Sequence, residues 1–466
     1  MTEGLKKKYG LFTAIAMVVG IVIGSGVFFK AEKVLTATGG NLPLGILSWI
    51  IGGLIMVVCA YSFAVLATRY EKVNGIVDYA EAALGEKYGY MVGWFMAVIY
   101  APTLTGVLAW VSARYTCVLF GWDITGGNAL AITMFYLVGS YALNALSPIL
   151  AGKFQVTTTV IKLIPLYLMA IVGTVAGLRS GMTMENFSTV VQEVNTGTAL
   201  FTAVCATAFA YEGWIIATSI NAELKDAKKN LPRALVMGTL VVMATYILYY
   251  VGLAGTVSNE TMMAGGETGA RLAFEMILGR AGGTLVFVLI VVSCLGTLNG
   301  LTVGSSRALY SVSSRGYGPC HKIFGEVDKE TNMPANSAVF GLVACSAWLV
   351  YFFGANLTSN WFGVFGFDST ELPIITVYAF YIPIFIKFMI KEKDLSVGKR
   401  FILPGLALLG SVFMVLAAIY AHGVVPYLAA KEEGRFSFTV LFYLIIFAVI
   451  MVIGALFMKK KEVVED

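Results

Sequence analysis

The sequence predicts an all-α polytopic membrane protein with twelve transmembrane helices, two of them broken. Three observations carry this. Of 466 residues, 58% are hydrophobic and 13% charged, a balance no soluble domain of this size requires. Apolar runs of about 18 residues or more recur from end to end, each long enough to cross a hydrocarbon core of about 30 Å. Two runs, the first and the sixth, are interrupted in mid-membrane by glycine. A β-barrel would instead show short alternating segments.

In chain order the predicted spans are 11–38, 43–69, 89–120, 128–150, 154–178, 197–221, 233–257, 283–315, 335–354, 362–390, 400–422 and 436–458. An even count puts both termini on one side. That side collects 22 basic residues, from Lys6, Lys7 and Lys8 through Arg69, Lys72, Lys225, Lys228 and Arg400 to Lys459, Lys460 and Lys461. The other side holds Lys30, Lys33, Arg179, Arg271, Arg280, Lys431 and Arg435. The positive-inside rule then places the termini in the cytoplasm. The amino-terminal run is not a cleaved signal, because no small-residue cleavage site ends it. The segment Asp78–Gly85 reads as a short amphipathic helix on the terminal side.

The first break lies in Gly20-Ile-Val-Ile-Gly-Ser-Gly-Val-Phe-Phe29. Glycine inside a helix costs about 1 kcal/mol relative to alanine, and Gly24 and Gly26 stand two apart. Backbone freed by a break in a bilayer must be satisfied by protein, water or ligand. The second break lies in Phe209-Ala-Tyr-Glu-Gly-Trp214, which sets a carboxylate and a glycine in mid-span. Spans 1 and 6 each begin a group of five, so the breaks occupy corresponding positions in two halves. That arrangement points to a five-plus-five inverted repeat, with the binding site where the halves meet. The expected units are 1–178, 197–390 and the two added helices with their tail, 400–466.

A broken helix offers two opposed dipole ends. The half-helix starting near Gly26 presents N–H groups and partial positive charge, suited to a carboxylate. The half-helix ending near Ile23 presents carbonyls suited to an ammonium group, and Phe209 and Ala210 add more. An α-amino acid carries both charges on one carbon. The competing reading is that the glycines simply pack helices together.

Further motifs are Lys162-Leu-Ile-Pro165, Glu223 followed by Asn230-Leu-Pro-Arg233, and Leu298-Asn-Gly300 with Ser306-Arg307. With the two breaks, they make the chain resemble the amino acid–polyamine–organocation superfamily. Within it, the likeness is to the L-type amino acid exchangers and their bacterial serine/threonine and alanine/serine/cysteine exchanger relatives. The resemblance implies substrate contacts at Ile23, Gly24, Ser25, Gly26 and Val27 in helix 1 and at Phe209, Ala210 and Gly213 in helix 6. It also implies an aromatic gate at Phe209. Lys162 is expected either to snorkel to the interface or to face the interior. The resemblance implies the second, as a fixed substitute for the sodium ion of sodium-coupled relatives, bridging helix 5 to the unwound part of helix 1. Glu212 is open to four roles: pairing with a cationic substrate, carrying a proton, hinging a gate, or capping the half-helix after it.

Asp368 and Glu371 are read as a second polar site or as an outer interface. Arg307 and Arg114 are read as helix-end anchors. Tyr100, Pro102, Asn299 and Tyr378 either line a pathway or pack. Neither His321 nor His422 has a ligand-spaced neighbour and the six cysteines are scattered singly, so no metal, cofactor or disulfide framework is expected. No HExxH motif or serine/histidine arrangement suggests an enzyme. In animal relatives an outer-loop cysteine after helix 3 links a partner glycoprotein; Cys117 precedes that loop, and no such partner is expected. The combined expectation is sodium-independent exchange of small neutral L-amino acids across a bacterial inner membrane. The alternative is proton-coupled uptake, extending to cationic amino acids or polyamines.

Overall fold

The computed structural model describes residues 6–70, 75–265, 269–357, 361–369 and 372–458. Lys72, Glu371 and Lys459 to Lys461 lie outside them. The described residues form helices and connecting turns with no strand beyond one isolated bridge, Tyr9 with Leu224. Ten helices are long and apolar enough to cross a membrane, and a bent pair at the amino terminus makes eleven. They fall on predicted spans 1 to 9, 11 and 12. The helix Leu372–Lys391 stands at the place predicted for span 10. Span 8 starts earlier than predicted, because a helical segment before Gly279 runs into it across a kink at φ +70°.

Both predicted breaks are present. Half-helix 1a, Leu11–Val22, meets half-helix 1b, Gly26–Ala37, at a 44° bend. Ile23 is extended there, with ψ +99°. Half-helix 6a, Thr196–Tyr211, ends at an extended Glu212. Gly213 follows at φ +98°, a conformation open to glycine at little cost. Half-helix 6b, Trp214–Glu223, is wound as a 3₁₀ helix for ten residues. Such runs rarely exceed three or four residues, and long ones mark strain or a hinge. Nothing in its composition signals this winding.

The two broken helices pack tightly. A Cβ built on Gly26 would stand 2.9 Å from the Ala210 Cα, closer than real Cβ contacts come. Any larger residue at Gly26 would therefore separate 1b from 6a. On span 7, Ala227–Leu253, the Tyr246 hydroxyl lies 3.0 Å from both the Val22 and the Ala210 carbonyl oxygens. Those are carbonyls near the carboxyl ends of 1a and 6a, so one side chain satisfies freed backbone from both breaks.

On the side of the termini the two helices are tied again. Lys8 and Tyr9 donate backbone bonds of 2.8 and 3.0 Å to the Glu223 carbonyl, and Lys225 returns one of 2.9 Å to Tyr9. The Glu223 carboxylate is fully buried between Arg307 of span 8 and Lys8, whose Nζ is 2.6 Å away. Two residues that carried the family resemblance thus form one ion pair, and Arg307 anchors span 6 rather than only ending span 8. Burial lowers the Lys8 pKa against the pull of Glu223. A second ionic layer joins Arg315 to Asp78 and Glu81 on the helix Gly75–Leu84, which is the predicted amphipathic segment.

Lys30 lies in predicted span 1, among the basic residues assigned to the side away from the termini. The structure puts it within half-helix 1b, 3% exposed.

Candidate functional site

The breaks face a small cavity of about 30 Å³, lined by Ile21, Val22, Gly24, Ser25, Gly26, Leu104, Leu108, Phe209, Glu212, Gly213, Thr297 and Leu301. Of the residues named from sequence, Gly24, Ser25, Gly26, Phe209, Glu212 and Gly213 line it. Ile23, Val27 and Ala210 lie behind. Val27 is fully buried, Ala210 backs Gly26, and the Ile23 carbonyl is engaged elsewhere.

Its partner is Lys162. The side chain is 0% exposed and does not snorkel. Its Nζ donates to the Gly20 oxygen at 2.7 Å, the Ile23 oxygen at 2.6 Å and the Thr297 hydroxyl at 3.0 Å. An ammonium has three protons, and each has an acceptor. Two of these acceptors are carbonyls near the end of half-helix 1a, where the dipole leaves partial negative charge. Lys162 of span 5, Pro148–Ser180, therefore completes the carbonyl end of the first break. Thr297 stands between the lysine and the cavity. Its hydroxyl lies 3.0 Å from the Gly20 oxygen and 2.8 Å from the Ile23 oxygen.

Among the described residues the N–H end of the break has no such side-chain occupant, and the Phe28 N–H turns back to the Ser25 oxygen at 3.0 Å. The first N–H groups of a helix have no carbonyl four residues back, and those of half-helix 1b begin beside the cavity. Ser25 caps this half-helix without a side-chain hydrogen bond, and its buried hydroxyl is unpartnered among the described residues. The break therefore presents donors and partial positive charge to the cavity, while Lys162 and Thr297 already meet two carbonyls of its acceptor end.

Among the described residues Glu212 is the one ionisable group on the cavity wall. Tyr100 donates its hydroxyl to Oε1, whereas Oε2 is buried without a hydrogen-bond partner among the described residues. The carboxylate thus reaches across to span 3. Local backbone chemistry brings Tyr100 there. Pro102 has no N–H to give the Val98 carbonyl, and the Trp348 indole donates to that carbonyl instead, at 2.7 Å. The helix widens into a π turn over Met96–Tyr100, a distortion common at functional sites.

Sequence reasoning missed Ile21, Val22, Leu104, Leu108, Thr297 and Leu301 on the wall. Thr297 had a signal, since it stands one residue before the Leu298-Asn-Gly300 motif. The leucines had none, because apolar residues in apolar spans look alike. Asn299, a pathway candidate, bonds Gln155 and Asn144 at 2.9 and 3.0 Å and ties spans 4, 5 and 8 together. Tyr378 is buried and does not line the cavity. Among the described residues no group of three or more histidine, cysteine or acidic side chains is placed to hold a metal.

The amino acid permease family profile matches residues 9–451. The serine/threonine exchanger SteT of Bacillus subtilis is 30% identical over 421 residues, 89% of this chain and 91% of the exchanger. The human b(0,+)-type amino acid transporter 1 is 28% identical over 440 residues, 92% of this chain and 85% of that protein. The human large neutral amino acids transporter small subunit 2 is 28% identical over 348 residues, 71% and 62% of the two chains. A profile that spans nearly every helix, two of them broken around one cavity, shows that the chain belongs to the amino acid permease family.

Proposed function

We propose that the protein exchanges small neutral L-amino acids across a bacterial inner membrane by alternating access, without sodium. The observation that carries this is Lys162. A fixed ammonium already meets the carbonyls that a coupling cation would otherwise bind, so a sodium ion has no place to act there. The substrate carboxylate meets the N–H groups at the start of half-helix 1b. The substrate ammonium uses second lone pairs of the freed carbonyls or Glu212 Oε2. Gly24, Ser25 and Gly213 leave room for a small side chain, and Leu104, Leu108 and Leu301 keep it dry. Two inverted repeats, 1–178 and 197–390, rock against each other around this point, with both termini cytoplasmic. No partner subunit belongs to this reading.

The test is exchange in liposomes against a panel of labelled amino acids, with and without sodium. Uptake that needs internal substrate and ignores sodium is the expected result. Uptake that needs external sodium sinks it. Ser25→Trp fills the cavity and should abolish exchange in folded protein.

One observation favours a second reading. Glu212 presents an unpartnered oxygen to the cavity, and a buried carboxylate without a cation is costly unless protonated or paired. Proton-coupled uptake, or a cationic or polyamine substrate, would satisfy it. A pH gradient that drives uptake into empty liposomes would favour this reading over exchange.

A further inference from the structure

Half-helix 1b carries a charge that the site described above leaves unused. Lys30 lies four residues beyond Gly26, about 6 Å further along the helix. It is 3% exposed in a membrane-spanning segment, where a charged side chain is rare and most often functional. Its Nζ stands 5.0 Å from the centroid of the Phe209 ring. That is within the range of a cation–π attraction, which strengthens as the pair is desolvated.

The placement of the ring gives this contact its meaning. Phe209 lines the cavity and Lys30 does not. The aromatic ring therefore meets both the ammonium and the space assigned to the substrate. Phe209 belongs to half-helix 6a and Lys30 to 1b, so the contact also crosses between the two halves of the site on the side away from the termini. Tyr246 fixes the backbone of the two breaks, and Lys30 is a charged neighbour of the Phe209 ring on 1b.

We propose that Lys30 is a positioning residue for Phe209: its ammonium holds the ring across the cavity and so retains the substrate against loss to the side away from the termini. This rests on the reading of the cavity as the substrate site. The role is distinct from that of Lys162, which binds the Gly20 and Ile23 carbonyls near the end of half-helix 1a.

The experiment is a double-mutant cycle in liposomes, with KM and kcat measured for substrate offered from the side away from the termini. Lys30→Met keeps the length of the side chain and removes the charge, and Phe209→Leu removes the ring. Each should raise KM about tenfold, the worth of one desolvated cation–π pair. The double variant should be no worse than the weaker single one, because both changes break the same contact. Lys30→Arg keeps a cation over the ring and should stay near wild type. A structural role for Lys30 would instead lower kcat and folded yield and leave the two positions uncoupled. An unchanged KM in Lys30→Met, or a double variant equal to the product of the singles, overturns the proposal. Ser25→Trp separates the two levels of the reading. If it is inactive while Lys30→Met is normal, only the lysine's role falls. If Ser25→Trp still exchanges, the cavity reading falls and this proposal with it.

Discussion

Lys162 and Glu212 are both buried at the junction of the broken helices, yet one is saturated and the other is not. The lysine has three protons and three acceptors. The glutamate has one tyrosine hydroxyl on one oxygen and nothing on the other among the described residues. A saturated charge is a fixture, because removing it strands its partners. A half-satisfied charge is a vacancy in the hydrogen-bond ledger that a substrate or a proton can fill. The contrast assigns the lysine to holding the site's shape and the glutamate to choosing what enters it.

The sharpest way to break this comparison is Lys162→Met. It leaves the Gly20 and Ile23 carbonyls buried with Thr297 alone for partner. Each unsatisfied buried group costs about 1–3 kcal/mol, so exchange should fall more than about tenfold and thermal stability should drop with it. Full activity in that variant would mean the ammonium is not needed at the break. Thr297→Val is the milder test of the same fixture. It removes one acceptor from Lys162 and one donor to the carbonyls, and leaves two of the lysine's bonds intact. A loss of about 1 kcal/mol, near fivefold in exchange rate at unchanged sodium dependence, is the expected result.

The fixture was more legible in the sequence than the vacancy. Gly24, Gly26 and Gly213 announce the breaks because glycine in mid-span has few other uses, and Lys162 stands out as a charge in an apolar run. What stayed hidden depends on contacts between distant segments. Tyr246 and Thr297 are ordinary members of their spans until the carbonyls they satisfy are brought to them. The π turn that delivers Tyr100 needs Trp348, 250 residues away in sequence, to meet the carbonyl that Pro102 cannot. The 3₁₀ winding of half-helix 6b has no compositional mark at all.

Glu212→Gln sharpens the other side of the comparison. The amide keeps the shape and accepts from Tyr100, but carries no charge. If the carboxylate selects substrate, neutral amino acids should exchange within about threefold of wild type while transport of cationic ones falls at least about tenfold, the worth of a charge-assisted hydrogen bond. If it carries a coupling proton, uptake driven by a pH gradient should vanish while exchange persists. Loss of all transport would show that Glu212 is a fixture like Lys162, and the comparison would fail.

The smallest effect belongs to Tyr100→Phe, and it is the most discriminating. It leaves both Glu212 oxygens without the tyrosine donor and disturbs no backbone. Were the carboxylate held ionised as a structural anchor, losing its donor would destabilise the fold by about 1–3 kcal/mol and lower transport of every substrate alike. A carboxylate left free to meet substrate or proton responds differently. Its demand for a partner grows when the hydroxyl is gone, so binding of cationic substrates should tighten relative to neutral ones by about two- to fivefold. The checking measurement is the ratio of KM for one cationic and one neutral amino acid in the two proteins. A fall in the cationic value alone marks a vacancy, and a parallel loss of both marks an anchor.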